Sequence, residues 1–314
     1  MVVSSFSEAT KADLAQVMGE RSCCLLSELA GLARVASRVA KGPNGDSGFE
    51  IRTESAAVAR KALRLARVVF GGQVTVLTRQ QRRLRGRKLF LVRVSGERGK
   101  TLVIIGLANR FGHPVSGIRR VLLQRECCRR AYLRGLFLGS GWVRSSREGY
   151  HLEIISPSVT CAQDIIKVLD GFGLKARYTV RKNSYVVYLK KGAAISDCLK
   201  LMGATGALLD LENARILREV KNRVNRLVNC ETANLNRTVE ASLRRRDDIE
   251  RIIARIGLEG LPPKLRELAH LRLVHPEATL KELGELLHVS KSCINHRLRR
   301  LTAVARRLQT EDGV

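Results

Sequence analysis

The chain has 314 residues, 45% of them hydrophobic, which is enough for two or three domains with a sizeable core and excludes a disordered polymer. Its 57 lysines and arginines against 29 acidic residues leave a net charge of +28. That field attracts polyanions, either nucleic acid or an anionic membrane surface. No apolar run approaches the roughly 18 residues of a membrane-spanning helix.

From the N-terminus, Met1 to Met18 is amphipathic and carries Glu8 and Asp13. That fits neither a signal peptide nor a transit peptide, so a cytoplasmic chain is expected. Residues up to about Gly19 read as one bracing helix. Glu28 to Ser37 (ELAGLARVAS) reads as an apolar helix with Gly31 on one face. Glycine inside a helix costs roughly 1 kcal/mol relative to alanine, and tends to be kept where a second backbone comes close. Lys41 to Gly48 is turn chemistry, expected to close that helix. A strand over Gly48 to Thr53 follows, then an amphipathic helix from Ala57 to Phe70. Strands Gly72 to Thr78 and Lys88 to Val94 come next, and an apolar helix starts near Leu102. The hairpin tip between those strands carries Arg82, Arg83 and Arg85. A solvated loop and a phosphate contact both fit it.

The same order then recurs. Arg130 to Trp142 (RAYLRGLFLGSGW) is a second apolar helix, with Gly135 in place of Gly31. Cys127-Cys128 precedes it as Cys23-Cys24 precedes the first, at the same offset of 104 residues (127 − 23 and 135 − 31). Strand His151 to Ser156, helix Val159 to Phe172, strands Lys175 to Arg181 and Ser184 to Lys190, and helix Ala194 to Met202 complete the copy. Its hairpin tip is also basic and includes Lys182. Repetition on this scale marks a structural unit copied and fused. The eight cysteines show no standard zinc spacing, and the adjacent pairs read as small buried hydrophobes at a helix start.

A Leu-x-Gly-Leu helix followed by a strand, a helix, a hairpin and a helix, twice over, resembles the LAGLIDADG homing-endonuclease fold. The resemblance implies two motif helices packed side by side at a pseudo-two-fold, with sheets forming a saddle over DNA. It also implies catalytic carboxylates at the helix ends that hold divalent metal. Ala36 and Ser140 stand where the acid before the final motif glycine belongs, and Arg34 and Leu138 occupy the other acidic position. A hard cation needs anionic oxygen ligands, and so does two-metal phosphodiester chemistry. These replacements predict a domain with no catalytic residues, no metal and no cofactor.

From Leu211 the composition shifts to a helical stretch rich in Asn and Arg, including Arg223, Asn225, Arg226, Asn234 and Asn236. Asparagine is a poor helix former. Two readings fit: a capped linker helix, or a surface that meets phosphates or a neighbouring domain. Arg244 to Ile256 reads as helical up to Gly257. A further helix starts after Leu261-Pro262-Pro263, and Thr279 is placed to cap a short helix from Leu280 to Leu287. Leu280, Leu283, Leu286 and Leu287 are expected to face inward. His288-Val289-Ser290 is the turn, with Ser290 capping a helix from Lys291 to Leu301.

This is a helix-turn-helix pattern that resembles region four of sigma factors. Gly284 marks the close approach, and Ile294, Leu298 and Leu301 hold the second helix down. Lys291, Ser292, Asn295, His296 and Arg299 are left to read base edges, and Arg297, Arg300, Arg306 and Arg307 to sit toward phosphates. Aromatic content of 4% leaves few stacking rings among the basic residues, which favours double-stranded DNA over single strands or RNA.

Taken together, the segments resemble the WhiA family, most specifically over Asn222 to Asn236 and Ser290 to Leu301. The expected fold is α+β: duplicated LAGLIDADG-like half-domains with a saddle sheet, then an all-α helix-turn-helix domain. The expected parts are an N-terminal helix (1–22), two repeats (23–125 and 126–210), a linker helix (211–240) and the tail domain (241–314). The resemblance implies a bacterial transcriptional regulator of sporulation, cell division and chromosome segregation, associated with the nucleoid and free of nuclease activity. In some relatives it implies work with a WhiB-type iron–sulfur regulator, a sigma factor or RNA polymerase, and nothing in this sequence chooses among them. A metal-dependent endonuclease and a non-enzymatic division scaffold are the alternatives. Ala36 and Ser140 weigh against the first, and the second would leave the tail dispensable.

Overall fold

The computed structural model describes residues 5–41, 47–72, 74–80, 88–96, 99–146 and 149–310. Contacts divide the chain into two compact units, Met1–Leu217 and Arg218–Val314.

The first unit opens with helix α1 (Phe6–Gln16), whose start is fixed by a capping box between Ser5 and Glu8. The two motif helices are α2 (Ser22–Ala36) and α5 (Glu126–Ser140). After α2 come strands β1 (Ser37–Lys41) and β2 (Ser47–Thr53), helix α3 (Ala56–Phe70), strands β3 (Val74–Gln80) and β4 (Lys88–Val94), and short helix α4 (Lys100–Ile104). After α5 come β5 (Gly141–Ser146) and β6 (Gly149–Ser156), α6 (Val159–Asp170), β7 (Arg177–Arg181) and β8 (Ser184–Leu189), and α7 (Gly192–Met202). Ser55 and Ser158 cap α3 and α6 in the same way, each hydroxyl accepting from the N–H three residues on.

Both sheets are antiparallel and share one topology, β1-β2-β4-β3 and β5-β6-β8-β7. The sequence reading omits β1 and β5. Lys41 to Gly48 does not close the first motif helix, which ends at Ala36 and turns directly into an extended Ser37. Residues 42–46 lie outside the described residues.

Strand alternation divides the side chains between two sheet faces. Phe49, Ile51, Val92 and Val94 face the helices in the first sheet, as Leu152, Ile154, Val187 and Leu189 do in the second. Between the sheets' helices, α2 and α5 lie backbone to backbone. A Cβ on Gly31 would collide with the Tyr132 carbonyl oxygen, and one on Gly135 with that of Glu28. The two collisions are equivalent under the repeat, since 135 − 31 and 132 − 28 are both 104.

A charged group is enclosed beside this contact. Glu28 and Lys61 are fully buried and pair at 2.9 Å, while Arg134 meets the other Glu28 oxygen at 2.7 Å. Arg134 also donates to the Met202 carbonyl at 3.0 Å. Burial holds the Lys61 ammonium below its ordinary value, against the opposing pull of Glu28.

Helix α8 runs without a break over Thr205–Ile256, so the expected linker helix and the helix before Gly257 are one element. Ala207 and Leu211 belong to the core of the first unit, Ile249 and Ile252 to that of the second. Gly257, at φ +66°, ends it. The second unit continues with α9 (Pro263–Val274), α10 (Leu280–Leu286) and α11 (Lys291–Thr310). Leu265, Leu268, Leu283, Ile294, Leu298 and Leu301 form its core with Ile249 and Ile252. Arg272 fastens α9 down, donating to Ser242 Oγ at 2.6 Å and to the Ala278 carbonyl.

Candidate nucleic-acid interface

The tail presents its basic helix through a tightly specified turn. Thr279 and Glu282 form a capping box at the start of α10. Gly284 sits where a Cβ would stand 2.7 Å from the Val289 carbonyl oxygen, so the chain reverses across the glycine. Val289 N–H donates to the Gly284 carbonyl at 2.9 Å, and His288 takes the left-handed conformation at φ 52°. The Ser290 hydroxyl then accepts from Cys293 N–H at 3.2 Å, starting α11.

Ile294, Leu298 and Leu301 bury one face of α11, which fixes what the other face shows. Lys291, Ser292, His296, Arg299 and Arg300 are exposed and Asn295 is half-buried. Arg306 and Arg307 are exposed on the next turns of the same helix. Two expectations fail. Leu286 is 52% exposed rather than inward, because α10 already ends there. The Arg297 side chain is only 13% exposed and turns toward Glu267 of α9, with Nη1 4.0 Å from the carboxylate. It braces α11 against α9 and is not presented to a phosphate.

Arg223, Asn225, Arg226, Asn234 and Asn236 are all exposed along α8. Val220, Val224, Leu227 and Val228 on the same helix are exposed too, so this stretch is not buried by its apolar spacing. Lys182 is at the tip of the β7–β8 hairpin, where it and Asn183 adopt positive φ of 48° and 59°. Arg82, Arg83 and Arg85 lie outside the described residues.

In the first unit, the sheet faces turned away from the helices are basic. Arg38, Arg52 and Arg93 share one such face with Glu50, and Arg144, Arg177 and Arg181 share the other with Glu153. The acids are engaged: Glu50 holds Arg93 at 2.8 Å and Arg52 at 2.9 Å, and Glu153 holds Arg181 at 2.9 Å and His151 at 3.2 Å. Burial drives the Glu50 carboxyl upward, yet its hydrogen bonds to Arg93 and Arg52 outweigh this and leave it below its ordinary value. Rings are interleaved here after all. His151 lies between Trp142 and Tyr188, at centroid distances of 6.1 and 5.9 Å, and Lys190 stands 5.3 Å over Tyr188. Three rings are too few to show in composition. The alternation Trp142, Arg144 along β5 would have shown them once β5 was recognised as a strand.

The ends of the motif helices lack metal-binding chemistry for a hard cation. Ala36 and Ser140 are the last residues of α2 and α5, and the Ser140 hydroxyl is spent on the Ile155 carbonyl at 2.7 Å. Arg34 is buried and donates to the Val115 carbonyl at 2.5 Å and to that of Gly106, while Leu138 is buried in the core. Among the described residues, the side chains that come together as possible ligands of one ion are four cysteines, not carboxylates.

Comparison with known proteins follows the same division of the chain. The family model of the WhiA N-terminal LAGLIDADG-like domain matches residues 22–106, that of the WhiA LAGLIDADG-like domain residues 129–221, and that of the WhiA C-terminal HTH domain residues 224–305. The probable cell division protein WhiA of Desulforamulus reducens is 46% identical over 311 residues, covering 98% of this chain and 97% of that protein. The protein of the same name from Heliobacterium modesticaldum is 44% identical over 99% of this chain and 98% of its own. The crystal structure of full-length WhiA from Thermatoga maritima superimposes with a TM-score of 0.60 at 27% identity, over 97% of this chain and 99% of that one. Two LAGLIDADG-like repeats without their acids, a helix-turn-helix tail and full-length identity above 40% have one common owner: the chain belongs to the WhiA family.

Proposed function

We propose that this chain is a sequence-specific binder of double-stranded DNA that regulates transcription in bacterial cell division, without nuclease activity. The observation that carries the reading is the exposed face of α11, where Lys291, Ser292, His296 and Arg299 project opposite the buried Ile294, Leu298 and Leu301. Those side chains match the donors and acceptors that read base edges when such a helix enters the major groove. The net charge of +28 supplies the non-specific part of the affinity, to which the arginines on the outer sheet faces contribute.

Sporulation, chromosome segregation and a nucleoid-associated place in the cytoplasm extend this reading from the family resemblance. A WhiB-type regulator, a sigma factor or RNA polymerase is the class of partner that goes with it. No helix of the described chain is long and apolar enough to cross a membrane. Ala36 and Ser140 support a non-catalytic first unit.

Titration of labelled duplexes at increasing salt tests the binding. Affinity should fall steeply and linearly on a log–log scale, with a slope of about −0.9 per phosphate neutralised. Supercoiled plasmid incubated with magnesium or manganese should stay supercoiled. Salt-independent binding would refute the DNA assignment, and metal-dependent nicking the non-enzymatic one.

A further inference from the structure

Cys23 and Cys24 stand at the start of α2, and Cys127 and Cys128 at the start of α5. Across the pseudo-two-fold the two pairs meet, and all four Sγ atoms lie within 4.8 Å of one another. Each thiol of one repeat therefore stands within 4.8 Å of both thiols of the other. Cys24 and Cys128 are buried, while Cys23 and Cys127 are half-exposed: Cys127 borders an open cleft with Arg21, Arg125, Glu126 and Arg130, and Cys23 a second one with Arg21, Arg119 and Arg125.

We propose that these four cysteines form a tetrathiolate site for a soft divalent cation of the zinc class, joining the two motif helices at their N-terminal ends. A tetrahedral zinc with bonds of about 2.3 Å holds its sulfurs roughly 3.8 Å apart, so the cluster has only about 1 Å to close. A hard cation such as magnesium is excluded, because the site offers no oxygen ligands among these side chains. Binding replaces four S–H bonds by four metal–sulfur bonds, releases four protons and leaves a net charge of −2 on the centre. The surroundings suit that charge. The N-termini of α2 and α5 both face it, and Arg21 and Arg125 are the residues that precede those helices. The competing explanation, four small buried hydrophobes, accounts for Cys24 and Cys128 against Ala131. Cys23 and Cys127 pack against that cluster as well, but apolar packing gives no reason for four thiols to converge within 4.8 Å at one point.

The site is independent of the DNA reading and is tested apart from it. The full chain, reduced and stripped with a chelator, is titrated with cobalt(II) alone and then with zinc. One cobalt per chain should bind, with intense thiolate-to-metal absorption in the near ultraviolet and the strong visible bands of a tetrahedral centre. Zinc should displace it and raise the thermal unfolding midpoint. Cys127→Ser should lose the spectrum, whereas Cys230→Ser and Cys293→Ser should keep it. Native mass spectrometry of the unsubstituted chain gives an independent readout, one retained zinc per molecule. Absence of that zinc and of the cobalt bands overturns the proposal, as do bands that persist in Cys127→Ser. Conversion of the cluster to disulfides between repeats, with no metal retained under reducing conditions, overturns it equally.

Discussion

Gly135 lies against the carbonyl oxygen of Glu28 so closely that no side chain fits between α5 and α2. Gly31 stands in the same relation to Tyr132, and together these contacts set the spacing of the two repeats. Gly135→Ala should therefore destabilise the first unit by about 3 kcal/mol or more, the upper end of overpacking, despite alanine's better helix propensity. Denaturant unfolding followed by circular dichroism checks this. A neutral or stabilising result would mean that the helices separate at little cost.

Glu28 is the shared counter-charge of Lys61 and Arg134 inside the same contact. Glu28→Gln leaves two cations without a counter-charge in the core and should cost roughly 3–5 kcal/mol. The midpoint in urea should fall with little change in slope. A loss below about 1 kcal/mol would show that water reaches the site.

The Glu50 carboxyl is held below its ordinary value of 4.5 in the folded chain. Its contribution to stability is fully present above that value and is lost as pH falls through the lower, folded one. Glu50→Gln should lower the thermal midpoint at neutral pH and flatten its decline in acid. An unchanged acid profile in the variant would assign the acid sensitivity to other groups.

Arg299 and Arg297 are two residues apart on α11, yet the first is exposed and the second is turned inward. Arg299→Ala should weaken a specific site by roughly 1–3 kcal/mol with the fold intact, if it contacts a base bidentately. Arg297→Ala should instead lower the thermal stability of the tail, through lost packing against α9. The two variants are separated by running binding and melting on the same preparations. Reversal of their effects would reverse the roles assigned here.

Much of this organisation is legible in the chain itself, for stated reasons. The offset of 104 residues links Cys23 to Cys127 and Gly31 to Gly135, and both links are structural. Helical spacing of apolar residues locates α3 and α6, and the capping Thr279 locates α10. What escapes the sequence is three-dimensional convergence. Zinc spacing rules describe ligands along one segment, so they miss a cluster built from two adjacent pairs 104 residues apart. Glu28 gives no sign that its partners are Lys61 and Arg134, because neither is a helical neighbour. β1 and β5 begin at the residue after a helix ends, with no turn residues between, and so their first residues read as a helix tail. Arg297 looks like its neighbours because a basic residue that braces a helix and one that meets a phosphate are the same in sequence.

The central claim is that α11 reads sequence while the rest of the basic surface supplies charge. Selection from a pool of genomic fragments, comparing the full chain with its Lys291→Ala, Asn295→Ala, Arg299→Ala triple variant, tests it most directly. The account predicts that the variant keeps salt-sensitive binding but enriches no sequence. Enrichment of the same fragments by both proteins would contradict it and make the LAGLIDADG-like unit the reader.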